Sequence, residues 1–171
     1  MRKIGQLLVL GATALVGGAT AFAQSKGQLE MKGDLYSMAL LASVDEMQKS
    51  WGYINDGGEG RVRTDYSNVV VKQDPKITDG MPTQFGTHHV DYLDAHALRE
   101  RYKELGKEFS ILEIGPIHND GARLHIVVSV YWFKYQRGRY FFAYSDWSDV
   151  VFQFNGETQA FDILDVKLGG I

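Results

Sequence analysis

Between Lys107 and Leu168 the chain reads as four consecutive β-strands separated by three turn signals, Asn119-Asp120-Gly121, Arg137-Gly138 and Asn155-Gly156. Glycine supplies the positive φ of tight hairpin turns, and the segments between are rich in Val, Ile, Phe, Tyr and Trp, which suit a pleated, half-buried surface. A carboxy-terminal antiparallel meander is therefore expected. It restricts the chain to architectures that set helices against such a sheet.

Upstream, Leu35, Met38, Leu41, Val44, Met47, Trp51 and Ile54 recur at steps of three or four. This spacing predicts an amphipathic helix of about 18 residues, capped by Asp34 and stopped by Gly57-Gly58. Its Met and Trp stripe reads as a core face rather than a cofactor box. Val69-Val70-Val71 suits a short buried strand broken by Asp74-Pro75, and Lys76 to His89 reads as loop. A second helix is expected from about Asp94, with Leu98, Tyr102 and Leu105 on one face and Gly106 as its carboxy-terminal cap.

The amino terminus has the parts of a secretory signal: Arg2 and Lys3, an apolar run from Ile4 to about Val16, and Ala21-Phe22-Ala23 before Gln24. Residues 1–23 are expected to be removed near Ala23, leaving a flexible extension over 24–33 and one domain over 34–171, periplasmic or secreted. The alternative is an uncleaved anchor, because Ile4 to Phe22 approaches the roughly 20 apolar residues of a spanning helix. Loss of Arg2 and Lys3 takes the net charge from −3 to −5, which disfavours nucleic acid as a partner. There are no cysteines, so stability has to come from packing even in a compartment that permits disulfides.

Taking Arg137-Gly138 and Asn155-Gly156 as two-residue loops aligns the strands. Leu124, Ile126, Val128, Val130 and Trp132 then share a face with Phe141, Ala143, Ser145, Trp147 and Val151. His125, Val127, Ser129, Tyr131 and Phe133 share the other with Tyr140, Phe142, Tyr144, Asp146 and Ser148. Neither face has the polar alternation of a water-washed sheet, so both are expected to be covered. Two helices are expected to cover one face, and a homodimer through the exposed sheet face would cover the other. The same alignment opposes Asp146 to Asp165 and Asp149 to Asp162. Such like-charge pairs point to a β-bulge near Ser145 to Ser148, or to an acidic pair facing a cavity where a shared proton raises a pKa.

The order long helix, short strand, loop, second helix and meander, with the aromatic strand Tyr140-Phe141-Phe142-Ala143-Tyr144-Ser145-Asp146-Trp147, resembles the nuclear transport factor 2-like superfamily over roughly Asp34 to Leu168. The resemblance implies an α+β fold in which a strongly curved antiparallel sheet wraps the long helix as a cone with a pocket at its wide end. A cystatin-like wedge is the neighbouring alternative. The second helix and the loop before it favour the former.

Members of the superfamily include isomerases and dehydratases, ligand-binding modules, dimerisation domains and subunits of envelope machines, so fold alone assigns no chemistry. Its enzymes place Asp, His or Tyr inside the cone, and the matching types here are His125, Tyr131, Tyr144 and Asp146, with Ser129 opposite Asp146. Asp146 or His125 could move a proton beside a carbonyl while a tyrosine hydroxyl stabilises the enolate. Otherwise the tyrosines are core or interface residues and His125 an ordinary strand residue.

No cofactor or metal is expected. His88-His89-Val90-Asp91 offers ligand types, but adjacent residues rarely converge on one ion. Gly57-Gly58-Glu59-Gly60 lacks the setting of a phosphate loop, and Gly115-Pro116 is turn chemistry. The expected function is an exported, non-catalytic module for ligand binding or assembly, with a small hydrophobic ligand or an envelope protein as partner. The alternatives are a cofactor-independent isomerase or lyase and a subunit of an envelope or secretion complex.

Overall fold

A computed structural model of the protein describes residues 34–51 and 66–170. The expected export signal, the expected extension before residue 34, Ile54 and the expected Gly57-Gly58 stop lie outside them.

Helix α1 spans Leu35–Trp51. Asp34 caps it, its carboxylate accepting from the Tyr36 amide at 3.1 Å and from the Ser37 hydroxyl. Its most buried line runs through Ala39, Leu40, Ser43, Val44 and Met47, with Leu35, Met38 and Leu41 as partly buried flanks. The contact line is rotated from the expected stripe because the small Ala39 and Ser43 let the helix lie close to the sheet. There the Ser148 hydroxyl donates to that of Ser43 at 2.6 Å.

Strand β1 (Asn68–Lys72) is the valine run. The expected loop after it is a loop only in part, since β2 (Gln84–Phe85) and β3 (His88–Leu93) form a short antiparallel hairpin around Gly86, whose φ of 56° only glycine adopts readily. Helix α2 (Ala95–Leu105) begins at Asp94, whose side chain accepts from the Ala97 amide at 2.7 Å, and ends at Gly106 in the left-handed conformation. Strands β4 (Phe109–Ile114), β5 (His118–Asn119), β6 (Leu124–Gln136), β7 (Arg139–Asn155) and β8 (Ala160–Gly170) complete the chain.

The protein is thus α+β, with two helices on one mixed eight-stranded sheet ordered β2-β3-β1-β4-β6-β7-β8, and β5 paired to β6. Two expectations are corrected. The sheet is neither all antiparallel nor strongly curled: β1 runs parallel to both β3 and β4, while β6, β7 and β8 are antiparallel. Nor do the two helices share a face. Strand β6 sends Ile126, Val128 and Val130 into the cluster beneath α1, while its alternate residue Phe133 joins Ile111 and Leu98 beneath α2. The connection accounts for this: β3 and β4 both run parallel to β1, so the chain must cross over between them, and it does so through α2.

The hairpin at Arg137-Gly138 has two residues, with φ of 51° and 75°, the double positive-φ turn that matches strand twist. The last hairpin does not. It pairs Asn155 with Ala160 because the Asn155 side chain accepts from the Glu157 amide at 3.0 Å and opens a wider turn. A bulge at Ser145 shifts the β6–β7 register, with Tyr131 facing Tyr144 and Val130 facing Asp146. Between β7 and β8 the wider turn and a second register shift between Val151 and Phe152 remove the like-charge pairs: Asp146 faces Gly170, Asp149 faces Lys167, Asp165 faces Val151 and Asp162 faces Gln153.

Candidate functional site

The bulge decides how the expected site residues are distributed. His125, Val127, Ser129 and Tyr131 alternate with the α1-facing residues and so share the α2 side of the sheet, together with Tyr144, Phe142 and Asp149. Asp146 faces Val130 and belongs to the α1 side, bonded to the Ser145 hydroxyl. Trp147 and Val151 move to the α2 side, Ser148 to the α1 side. The chain therefore brings Tyr131 and Tyr144 together, ring centroids 5.5 Å apart and edge to face, but sets Asp146 behind them. His125 lies six residues from Tyr131 along one strand, about 20 Å away, too far for both to act on one small molecule.

His125 is held by carboxylates. Its Nδ1 lies 3.0 Å from Asp149 and its Nε2 3.2 Å from Asp120. The hydrogen bond to Asp149 chiefly raises its pKa, with Asp120 adding to the effect and partial burial opposing it. The Asp120 carboxylate, which also accepts from the Ala122 and Arg123 amides, is held below the ordinary range, those amides being the larger cause. This cluster fastens the turn before β6 onto β7.

The Tyr144 hydroxyl titrates above its usual range, first through burial and then through neighbouring Tyr131, while a hydrogen bond with Ser129 pulls the other way. Beside this pair, where β1 and β4 end, lies an open cleft of about 540 Å³. Ile77, Ile114, Val127 and Tyr131 supply its apolar wall, and Asp74, Lys76, Glu113 and Ser129 its polar groups. Lys72 bonds Glu113 at 2.6 Å and sits 5.6 Å from the centre of the Phe142 ring, so the acid is already partnered. The Asp74 carboxylate accepts one backbone bond, from the Lys76 amide at 2.9 Å.

Of the expected site residues Tyr131 lines this cleft, as does Ser129, which pairs with Trp147 and not with Asp146 as expected. Glu113, Asp74 and Lys76 were not legible as site residues. Each becomes part of the cleft only because β1 lies alongside β4, a parallel pairing between segments about 40 residues apart that no local pattern announces.

The His88-His89 pair straddles β3. His88 is buried toward α1, with Nδ1 at 2.8 Å from the Tyr66 carbonyl and Nε2 at 3.1 Å from Asp45, whereas His89 points to the other side, 3.2 Å from Asp91. Two imidazoles on opposite faces cannot bind one ion, and no group of three metal-ligating side chains occurs among the described residues. Tyr66, beneath α1, has its pKa pushed up to about 12 by burial and the nearby Asp146 charge. No described helix is long and apolar enough to cross a membrane.

Compared with known proteins, the chain matches no family model, no curated protein and no solved structure. The class defined by the fold is an α+β protein with helices on opposite faces of a mixed sheet.

Proposed function

We propose that the protein is an exported, non-catalytic binding module whose cleft between the ends of β1 and β4 holds a small molecule with a hydrophobic body and one or two polar groups. The observation that carries this reading is the chemistry of the cleft: an apolar wall ending in an aromatic ring, with a few polar groups at its rim, of which Glu113 is paired with Lys72 and Asp74 accepts one backbone amide. Small-molecule sites typically combine a mostly apolar surface with a few placed polar groups. Proton transfer would need a free base within hydrogen-bond reach of the substrate. Asp146 lies behind the sheet from Tyr131 and His125 is tied between two acids, which favours binding over isomerisation.

Kinship with the nuclear transport factor 2-like superfamily is supported by the order of elements and by the aromatic strand. A flatter sheet with helices on both faces replaces an enclosed cone by an open cleft. Export is supported by the basic, apolar and small-residue parts of the first 23 residues.

Native mass spectrometry of the protein purified from the periplasmic fraction tests the proposal. A retained small molecule is expected on the wild-type protein and not on Ser129→Trp, which fills the cleft. Retention of the same molecule by both would place the ligand elsewhere, and recovery of the uncleaved chain in the cytoplasm would refute export.

A further inference from the structure

We propose that residues 139–145 of β7 pair antiparallel with the same residues of a second copy, about a two-fold axis at Phe142, so that two sheets join edge to edge. This interface does not depend on the cleft.

Strand β7 is paired on both sides only from Asp146 onward, where it meets Gly170 of β8. From Arg139 to Ser145 it has β6 on one side and no described strand on the other. Such an edge presents a row of unpaired amides and carbonyls, which proteins ordinarily protect with charge, proline or a covering element. Tyr140-Phe141-Phe142-Ala143-Tyr144 has no charge and no proline. Its side chains are open as well: Tyr140, Phe141, Phe142 and Tyr144 are 40 to 47% exposed, and Trp132, paired with Ala143 in the same hairpin, is 38% exposed. Both faces of this strand tip are apolar, so a partner that covers only one face would leave aromatic rings in water. A second strand in the plane of the sheet extends both faces at once.

The free segment specifies its own register. It is seven residues long with Phe142 at its centre, so full pairing of two copies places the axis there. Tyr140 then faces the partner's Tyr144, and Phe141 faces the partner's Ala143, large against small. Arg139 comes opposite the partner's Ser145, one residue from the partner's Asp146. Arg139 and Asp146 both lie on the α1 side, and neither has an oppositely charged partner among the described residues. The charges at the two ends of the segment are thus complementary when the segment meets itself antiparallel. A partner of uniformly acidic or basic chemistry would satisfy one end and oppose the other.

The absence of native cysteine makes the test direct. Opposed Cα atoms in an antiparallel pair lie about 4.5–5.5 Å apart, within disulfide reach. Mild oxidation of Phe142→Cys in the mature full-length chain should give a covalent dimer, whereas Leu164→Cys, on the exposed edge of β8, should not cross-link. In sedimentation equilibrium at micromolar concentration the wild type should have twice the mass of Ala143→Arg, a change at an exposed position. A wild-type monomer, a dimer unaffected by Ala143→Arg, or cross-linking through 164 instead of 142 would each overturn the proposal.

Discussion

Phe133→Ala probes the packing under α2. The Phe133 side chain is fully buried with Leu98 and Ile111, and four aromatic rings surround it: Phe109 at 5.3 Å, Phe142 at 5.4 Å, and Tyr102 and Tyr140 at 6.2 Å. Truncating a buried phenylalanine costs about 3–5 kcal/mol, the spread reflecting how far the site can collapse. Tyr140 and Phe142 lie on the exposed strand tip and can lean into the gap, so the loss should fall near about 3 kcal/mol, a large share of the roughly 5–15 kcal/mol that stabilises a domain. With a urea m-value of about 2 kcal/mol/M, the unfolding midpoint should drop by about 1.5 M at unchanged slope. Amides of α2 should lose hydrogen-exchange protection before those of α1, because α1 packs on the opposite face. A loss under about 1 kcal/mol, or equal deprotection of both helices, would refute the two-cluster description.

Three further outcomes are expected. The folded-state pKa of His125 is raised, so its contribution to stability is complete below the unfolded value of about 6.5 and disappears as pH rises through the folded value. Nuclear magnetic resonance titration should find that midpoint above 6.5, and Asp149→Asn should lower it more than Asp120→Asn, because Asp149 is the larger cause. Ser148→Ala should cost about 1–3 kcal/mol by stranding the buried Ser43 hydroxyl, and Ser43→Ala/Ser148→Ala should be less destabilised than the sum of the single variants, as read by a double-mutant cycle in urea. Gly106→Ala, forcing a Cβ into φ of 64°, should cost about 1 kcal/mol in thermal unfolding although open space surrounds the site.

What the sequence made legible was local. Asp34, Asp94, Gly106 and the Arg137-Gly138 turn act through residues within four positions of themselves, and each occupies the role its chemistry suggests. The like-charge conflict of Asp146 and Asp149 carried long-range information, because it marked the expected β7–β8 register as wrong. The wider turn between Asn155 and Ala160 and the shift between Val151 and Phe152 resolve it, whereas the bulge at Ser145 alters only the β6–β7 pairing. The parallel neighbours of β1 were not legible. Neither valine periodicity nor a turn names a partner strand, and the cleft depends on that pairing. The position of α2 was hidden for a related reason. Its apolar face at Leu98 and Tyr102 would suit either side of the sheet, and only the crossover from β3 to β4 decides which side it covers. Of the four residues chosen by chemical type, Tyr131 and Tyr144 meet beside the cleft, whereas one strand length separates His125 and the bulge turns Asp146 away.

A side-chain nuclear Overhauser map of the folded protein tests the central claim, one sheet with a helix on each face. Val128 and Val130 should show contacts to Leu40, Val44 or Met47 of α1, while Phe133, three residues further along the same strand, should contact Leu98 of α2 and nothing in α1. Contacts from Val130 and Phe133 to the same helix would contradict it.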